Sequence, residues 1–302
     1  MDYKKIIKDQ NLRFKILDMF NFISDERMIK IQYRIKTGRK LSLDNPKRFT
    51  EKLQWYKLNY RDKLLTQCCD KYEVRKYVEE KGLGDILNDL YAVYDNVDEI
   101  EFDKLPISFA IKVTNGSGTN IFINDKTQMN MEEVKEKLNN WMNIKNCSYG
   151  REWCYYDVKP KIIVERLLER DKNNDIPDYK FFCFDGKVYC LYTMIDYVDN
   201  HDEGKCGFYT KEFVQMPYSR QEFRPIDKEL QKPKNFETMV KYAEILSKGF
   251  PHVRVDFYNI SGKIVFGELT FYNGSGYSVF SPDEFDFILG EQFVLPHKVI
   301  GD

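Results

Sequence analysis

Histidine is scarce in this chain, which has three: His201, His252 and His297. No two of them sit at the spacing of a zinc site, so metal chemistry would have to rest on carboxylate oxygens, a preference of magnesium. The seven cysteines (Cys68, Cys69, Cys147, Cys154, Cys183, Cys190 and Cys206) contain no CxxC pair, and an odd number cannot all pair within one chain. Reduced thiols and a cytoplasmic location are the expectation. A long apolar run is missing too: nothing approaches the roughly 18 to 20 residues that cross a bilayer. Charges scattered through MDYKKIIKDQNLRFKILDMFNF leave no uninterrupted stretch for a signal peptide. Nor is there a bulk charge. Lys and Arg number 47 against 48 Asp and Glu, a net charge of −1, so no global field draws in nucleic acid.

What the chain does have is apolar surface. Of its 302 residues 42% are hydrophobic and 15% aromatic, enough to fold as one large domain or two modest ones. Between residues 10 and 36 apolar side chains recur at spacings of three and four, with Ser24 and Asp25 placed to cap a helix. In LSLDNPKRFTEKLQWYKLNYRDK bases and aromatics mix. Phe49, Leu53, Trp55 and Tyr56 fall at helical spacings with charges between them, which favours a solvated amphipathic helix over a nucleic-acid contact.

From Leu90 the period shortens. LYAVYDNVDEI and SFAIKVTNGSGTNIFIN read as strands with tight turns, MEEVKEKLNNWMNI as a helix through Val134, Leu138, Trp141 and Met142, and KIIVERLL as a strand. Asp185-Gly186 between YKFFCFDG and KVYCLYTMI predicts a hairpin. Residues 199 to 235, with Gly204, Gly207, Pro217, Pro225 and Pro233, carry no sustained period and read as a long exposed segment. Asn235 is placed to cap a helix whose Phe236, Met239, Val240, Ala243 and Leu246 share a face. HVRVDFYN and KIVFGELTFYN then alternate around Ser261-Gly262, putting Arg254, Asp256, Glu268 and Thr270 on one face of a second hairpin. The whole is an α+β pattern.

Three groups of residues could carry chemistry. Lys112 ends an apolar strand before Asn115, Gly116, Ser117 and Gly118, a loop able to turn backbone N–H groups onto a phosphate. Neither GK[ST] nor a helix follows, so the P-loop and dinucleotide fingerprints are absent, and a plain hairpin turn is the other reading. Asp256 and Glu268 lie mid-strand among apolar residues, where a charge is costly unless paired or bound to a metal. Converging carboxylates suit magnesium with nucleotide phosphates; a sheet face open to water is the alternative. Lys71 and Lys180 read as ordinary lysines apart from their order relative to these acids.

That order carries a resemblance. DKYEVRKYV, DLYAVYDNVDEIEFDKLP, FAIKVTNGSGTNIF, KIIVERLLE, DYKFFCFDGK, VRVDFY and FGELTF, in sequence over roughly residues 45 to 290, resemble the TupA-like (teichuronopeptide biosynthesis) branch of the ATP-grasp superfamily. The resemblance implies a nucleotide held between two α+β subdomains behind a helical lead-in: residues 1–85 as the N-terminal helical region, 86–168 as the lid subdomain with its linker strand, and 169–302 as the C-terminal subdomain with the metal-binding hairpin. It implies ATP and Mg2+ as cofactors. Lys71 and Lys112 would contact phosphates, and Gly116, Ser117 and Gly118 would form the lid loop. Glu165 would accept from the adenine amino group, with the backbone of Arg166 to Leu168 on the ring edge. Lys180 would lie along the nucleotide, Arg254 would face an acyl phosphate, and Asp256 and Glu268 would hold the metals. Thr270 stands where such enzymes commonly have Asn, a weaker ligand for the second metal, and Asn273 follows three residues on.

The implied activity is ADP-forming ligation of a carboxylate to an amine through an acyl phosphate, attaching an amino acid to a uronic acid of a cell-surface polysaccharide. Small-molecule or polysaccharide-precursor substrates are the implied partners, with peripheral membrane association through a lipid-linked substrate. A capsule glycosyltransferase and a non-catalytic nucleotide-binding module are the alternatives, and residues Ile195 to Phe213 align with nothing in the resemblance.

Overall fold

The computed structural model describes residues 19–20, 22–143, 150–171, 174–197 and 204–298. Residues 10–18 of the predicted N-terminal helix, Cys147 and residues 199–203 lie outside them. Helix α1 (Asp25–Thr37) starts from the Ser24 carbonyl, which accepts from Met28 N–H at 2.9 Å; the Ser24 hydroxyl makes no cap. Gly38, at φ 74°, ends it in the left-handed conformation that glycine adopts without strain. Helix α2 (Phe49–Asn59) is fixed at its start by Glu51, whose Oε2 accepts from Lys47 and Arg48 N–H at 2.9 and 3.1 Å. Helices α3 (Lys63–Cys69) and α4 (Val74–Glu80) follow.

Strands β1 (Leu90–Tyr94), β2 (Phe109–Val113), β3 (Asn120–Ile123) and β4 (Ile162–Glu165) make an antiparallel sheet in the order β1-β4-β2-β3. Helix α5 (Met131–Met142) packs Val134 and Leu138 into its core with Phe109, Ile111, Val113, Ile162 and Val164. The second sheet has the order β11-β10-β5-β6-β7-β9, from β5 (Asp178–Phe184), β6 (Lys187–Ile195), β7 (Lys205–Thr210), β9 (Arg224–Pro225), β10 (His252–Ile260) and β11 (Lys263–Thr270). It is antiparallel except for β7 with β9. A two-stranded piece joins β8 (Ser219–Arg220) to β12 (Phe280–Ser281), and α7 (Glu284–Gln292) closes the described chain.

Both expected hairpin turns are present, with Asp185 and Gly186 at φ 46° and 73° and Ser261 and Gly262 at φ 52° and 88°. Helix α6 (Phe236–Ser247) covers one face of the large sheet, its Phe236 ring 5.9 Å from Phe181, with Met239, Ala243 and Leu246 in the same core. At one end of the opposite face α2 and α7 pack together. Gly290 is required there, because a side-chain carbon on it would run into the Lys47 carbonyl oxygen.

Three further expectations need correction. The stretch from 199 to 235 is not one long exposed segment, since Cys206, Phe208 and Tyr209 of β7 are buried within the sheet. A strand buried on both faces shows no alternation, and Gly207 masked it further. Helix α2 is not solvated on one side: Phe49, Thr50, Leu53, Gln54, Tyr56 and Lys57 are all buried, while Trp55 is half-buried. Asn235 precedes α6 without capping it; its side chain is spent on Asn259 Nδ2, from which it accepts at 2.7 Å, and on the Gly262 carbonyl, to which it donates at 2.8 Å.

His252 sits fully buried at the head of β10, its ring 5.0 Å from Phe49 and 4.8 Å from Phe184. The Cys183 carbonyl, 2.9 Å from Nδ1, can only accept, so Nδ1 carries the proton and Nε2 accepts from Asn273 Nδ2 at 3.1 Å. Burial pulls the imidazole pKa from 6.5 down to about 3. Between those values the unfolded chain binds the extra proton and the folded one does not, so stability falls as pH falls. Urea unfolding at about pH 7 and about pH 5 should show a loss of about 2 kcal/mol from this residue. A His252→Gln variant, weaker at pH 7, should lack that part of the acid slope; an unchanged slope would contradict the assignment.

Candidate active site

The large sheet lays a row of polar side chains across four strands. In register, Glu268 of β11 faces Asp256 of β10, Asp256 faces Lys180 of β5, and Lys180 faces Tyr192 of β6. A bulge creates this row. Phe257 pairs with Phe266, so regular pairing would set Asp256 against Gly267, but the register shifts there and Glu268 takes the place. Gly267 is the extra residue, and a side-chain carbon on it would come within 3.0 Å of the Asp256 carbonyl oxygen.

Arg254 ties the row together. Its Nε and Nη2 donate to Asp256 Oδ1 and Oδ2 at 2.6 and 2.5 Å, and Nη2 donates also to Glu268 Oε1 and Thr270 Oγ1, both at 2.9 Å. Lys180 Nζ lies 2.7 Å from Asp256 Oδ2 and 2.5 Å from Asp178 Oδ2. Burial raises the Asp256 carboxyl, but Arg254 and Lys180 outweigh it and hold the pKa below the usual carboxylate value. Burial pushes Asp178 up to about 6 against the pull of Lys180. Burial also works against the Lys180 ammonium, yet Asp178 and Asp256 keep its pKa well above the ordinary lysine value. The wet-face alternative therefore fails for Asp256, which is 2% exposed, while the Glu268 side chain is half exposed.

A second cluster lies on the small sheet. Glu165, at the end of β4, receives Lys112 Nζ at 2.6 Å and Arg75 Nη1 at 3.3 Å, and Arg75 also donates to the Asn88 carbonyl at 2.9 Å. Just beyond it, Arg166 N–H donates to the Asp89 carbonyl at 2.9 Å and the Arg166 carbonyl accepts from Asn88 Nδ2 at 2.8 Å; Leu168 is half-buried. The loop from Asn115 to Gly118 is the tip of the β2–β3 hairpin, with Gly116 buried, Ser117 and Gly118 exposed, and Gly118 at φ 75°. The hairpin-turn reading is thus correct as geometry.

Lys71 stands between the clusters. Asp70 caps the turn ahead of α4 by accepting from Tyr72 and Glu73 N–H at 2.7 and 2.8 Å, which fixes the backbone beside Lys71. Lys71 Nζ donates to the carbonyls of Val113, at 3.1 Å, and of Gly116 in the loop. Burial lowers its pKa to about 8, with Glu268 opposing that shift and Lys112 adding to it, so its charge is felt at both clusters.

The structure therefore groups Lys180, Arg254, Asp256, Glu268 and Thr270 in one cluster and Lys112 with Glu165 in another, with Lys71 and the loop between. Sequence reasoning missed Arg75, Asp178 and Tyr192. Arg75 lay inside DKYEVRKYV, and Asp178, two residues before Lys180, shares its strand face. Tyr192 stands at an alternating position of β6, with a phenol that reads like any strand aromatic.

For a metal ion the donor set is two carboxylates and the Thr270 hydroxyl, which already donates to Glu268 Oε1 at 2.8 Å. Among the described residues no group of three or more His, Cys, Asp or Glu could hold a metal. Two carboxylate ligands, with phosphate oxygens and water for the rest, is what magnesium takes, so Asp256 and Glu268 have the donor chemistry for it, while here both Asp256 oxygens accept from Arg254, Oδ2 also from Lys180, and Glu268 Oε1 accepts from Arg254 and Thr270. Among the described residues no helix is long and apolar enough to cross a membrane.

The fold is mixed α+β, with a lysine–carboxylate cluster on each of its two larger sheets. The chain belongs to the TupA-like ATP-grasp family, whose model matches residues 51–294. The ATP-grasp class includes ADP-forming carboxylate–amine ligases that use ATP and Mg2+. No curated protein matches by sequence. Among solved structures, an N5-carboxyaminoimidazole ribonucleotide synthetase complexed with ADP is 13% identical, with a TM-score of 0.41 over 72% of this chain and 49% of its own. An L-amino acid ligase from Bacillus licheniformis is 14% identical, TM-score 0.42, over 70% and 42%. A D-alanine–D-alanine ligase from Helicobacter pylori is 10% identical, TM-score 0.44, over 76% and 60%. The chain thus spans about half the length of the first two.

Asp256 neutralises two buried cations at once. Asp256→Asn should destabilise the fold by about 3–5 kcal/mol in urea unfolding, the cost of stranding buried charge. Glu268→Gln, at a half-exposed carboxylate, should cost far less; equal losses would show that Asp256 does not hold Arg254 and Lys180 in place.

Proposed function

We propose that this chain is an ATP-dependent, ADP-forming carboxylate–amine ligase acting through an acyl phosphate. The substrates in this reading are an amino acid and a uronic acid of a cell-surface polysaccharide precursor, met in the cytoplasm and, where that precursor is lipid-linked, at the membrane surface. The nucleotide lies between the subdomains of residues 86–168 and 169–302. One observation carries the reading: Lys71, bonded to the hairpin loop, has its charge felt by Lys112 on one side and by Glu268 of the acid pair on the other.

The chemistry asks for that arrangement. A carboxylate oxygen attacks the γ-phosphorus of ATP, the bond to the β,γ-bridging oxygen breaks, and ADP leaves. The amine then attacks the acyl carbon, phosphate departs with the electrons of the C–O bond, and a proton is lost from nitrogen. Two anions must meet in the first step, so fixed positive charge is required. Lys112 and Lys71 supply it at the phosphates, under the loop of Gly116, Ser117 and Gly118, while Glu165 and the backbone from Arg166 to Leu168 take the adenine. Magnesium held by Asp256 and Glu268 would neutralise charge on the transferred phosphoryl group. Lys180 holds Asp256 in place along the nucleotide, and Arg254, already joined to Asp256, Glu268 and Thr270, supplies donors for the oxyanion of the second step.

With ATP, magnesium and the carboxylate present, hydroxylamine should trap the acyl phosphate as a hydroxamate without any amine substrate. Glu268→Gln should abolish both hydroxamate and ADP release while keeping most nucleotide affinity. ATP binding with no ADP release from any acid would make the chain a nucleotide-binding module, and a glycosyl product without ADP would make it a transferase. Lys112→Ala should weaken ATP binding by about 1.5–3 kcal/mol in calorimetry, the range for a hydrogen bond to a charged group. Unchanged affinity in a folded variant would remove Lys112 from the phosphate site.

A further inference from the structure

Arg220 comes from the stretch that no sequence motif explained. Pairing of β8 with β12 places it: Arg220 faces Phe280, and Gln221 N–H donates to the Val279 carbonyl at 2.9 Å. Strand β12 comes soon after the Asn273–Gly276 loop that follows Thr270, and a side-chain carbon built on Gly274 would lie 3.6 Å from Arg220 Nη2. Arg220 thus reaches the end of the acid-bearing hairpin from another part of the chain.

Its surroundings are unusual for a structural arginine. Arg220 Nη1 donates to the Tyr192 hydroxyl at 3.3 Å, and Arg254 Nη1 donates to that same oxygen, also at 3.3 Å. Two guanidinium groups therefore meet at one phenol. Arg254 is matched by Asp256 and Glu268, whereas the ion pair of Arg220 is with Glu222 at 3.3 Å, two residues along and 43% exposed. The Arg220 side chain is 14% exposed, it lies over the rings of Phe223 and Tyr192 at 5.1 and 5.6 Å, and its buried Nε–H has no partner among the described residues. A nearly buried cation held against aromatic faces, beside a second cation and with its fork of donors underused, has no buried counter-charge among the described residues beyond the part-exposed carboxylate of Glu222. A carboxylate is the planar group that such a fork engages with two parallel hydrogen bonds.

We propose that Arg220, set by Tyr192 beside Arg254, binds a second, non-reacting carboxylate of a substrate and so restricts the enzyme to substrates that carry one. The proposal rests on the ligase reading in taking Asp256, Glu268 and Arg254 as the reacting end of the site. The carboxylate has two sources, the amino acid that supplies the amine or an acid bearing a further carboxylate beside the one activated.

The test uses the full chain with magnesium and a non-hydrolysable ATP analogue. Thermal shift and calorimetry would compare wild type, Arg220→Lys and Arg220→Met against the common amino acids with their α-amides, and against uronic and dicarboxylic acids with their monoamides. At least one acid should stabilise the wild type, its amide should not, and both variants should bind that acid about tenfold or more weakly with analogue affinity unchanged. The panel that responds names the source. The proposal fails if no acid of either panel binds, if the amide binds as well as the acid, or if Arg220→Met binds undiminished. Arg220-dependent binding without ADP release from ATP would overturn the ligase reading and leave the carboxylate site standing. ADP release that neither Arg220 variant impairs, with acid and amide alike, would do the reverse.

Discussion

Much of this structure depends on a shared counter-charge: Asp256, buried on the second strand of a six-stranded sheet, is claimed by Arg254 from its own strand and by Lys180 from the next. Taking any of these groups out of water is costly, and each is tolerable because the others are there. The interaction also fixes positions. Arg254 cannot leave Asp256 without losing its principal partner, so the donors it extends to Glu268, Thr270 and Tyr192 are held in place as well. The same bonds that offset the burial of charge preorganise Arg254, Glu268 and Thr270, so that in the proposed reading no ordering would have to happen when a substrate arrives.

The aromatic core beneath this row is built to keep it dry. His252 heads the same strand two residues before Arg254, neutral and walled by Phe49, Phe184 and Phe293, and its Nε2 accepts from Asn273, the first residue of the loop after the acid hairpin. Gln54 and Lys57 of α2 hold the far end of that loop by donating to the carbonyls of Ser275 and Gly276. Helices α2 to α4 thus share one core with the large sheet, and α2 reaches, through backbone carbonyls, the loop that lies under Arg220.

How much of this was legible in the sequence follows from the range of each interaction. The Ser261-Gly262 and Asp185-Gly186 turns are local, so the hairpins and the common face of Arg254, Asp256, Glu268 and Thr270 could be read from alternation alone. The pairing of Asp256 with Glu268 could not be fixed that way, because it depends on a bulge at Gly267 that strict alternation does not contain. The partnership of Lys112 with Glu165 joins residues on neighbouring strands from distant parts of the chain, and Arg75 reaches it from a helix; no spacing rule connects them. Strand β7 was illegible for a different reason: buried on both faces and interrupted by Gly207, it has the pattern of neither a surface strand nor a loop. Arg220 was hidden behind it, on a two-residue strand whose partner lies sixty positions further on.

The grip of Lys71 on its neighbouring hairpin has a consequence for timing. Its ammonium is held by the carbonyls of Val113 and Gly116, which stand at the base and on the near side of the loop. An anion that claims this lysine therefore takes it from the backbone, so that the ligand and the hairpin compete for one set of protons. In the proposed ligase reading, arrival of a phosphate at Lys71 and release of the loop from this bond would be a single exchange, so that the loop would close only once there is something to close upon.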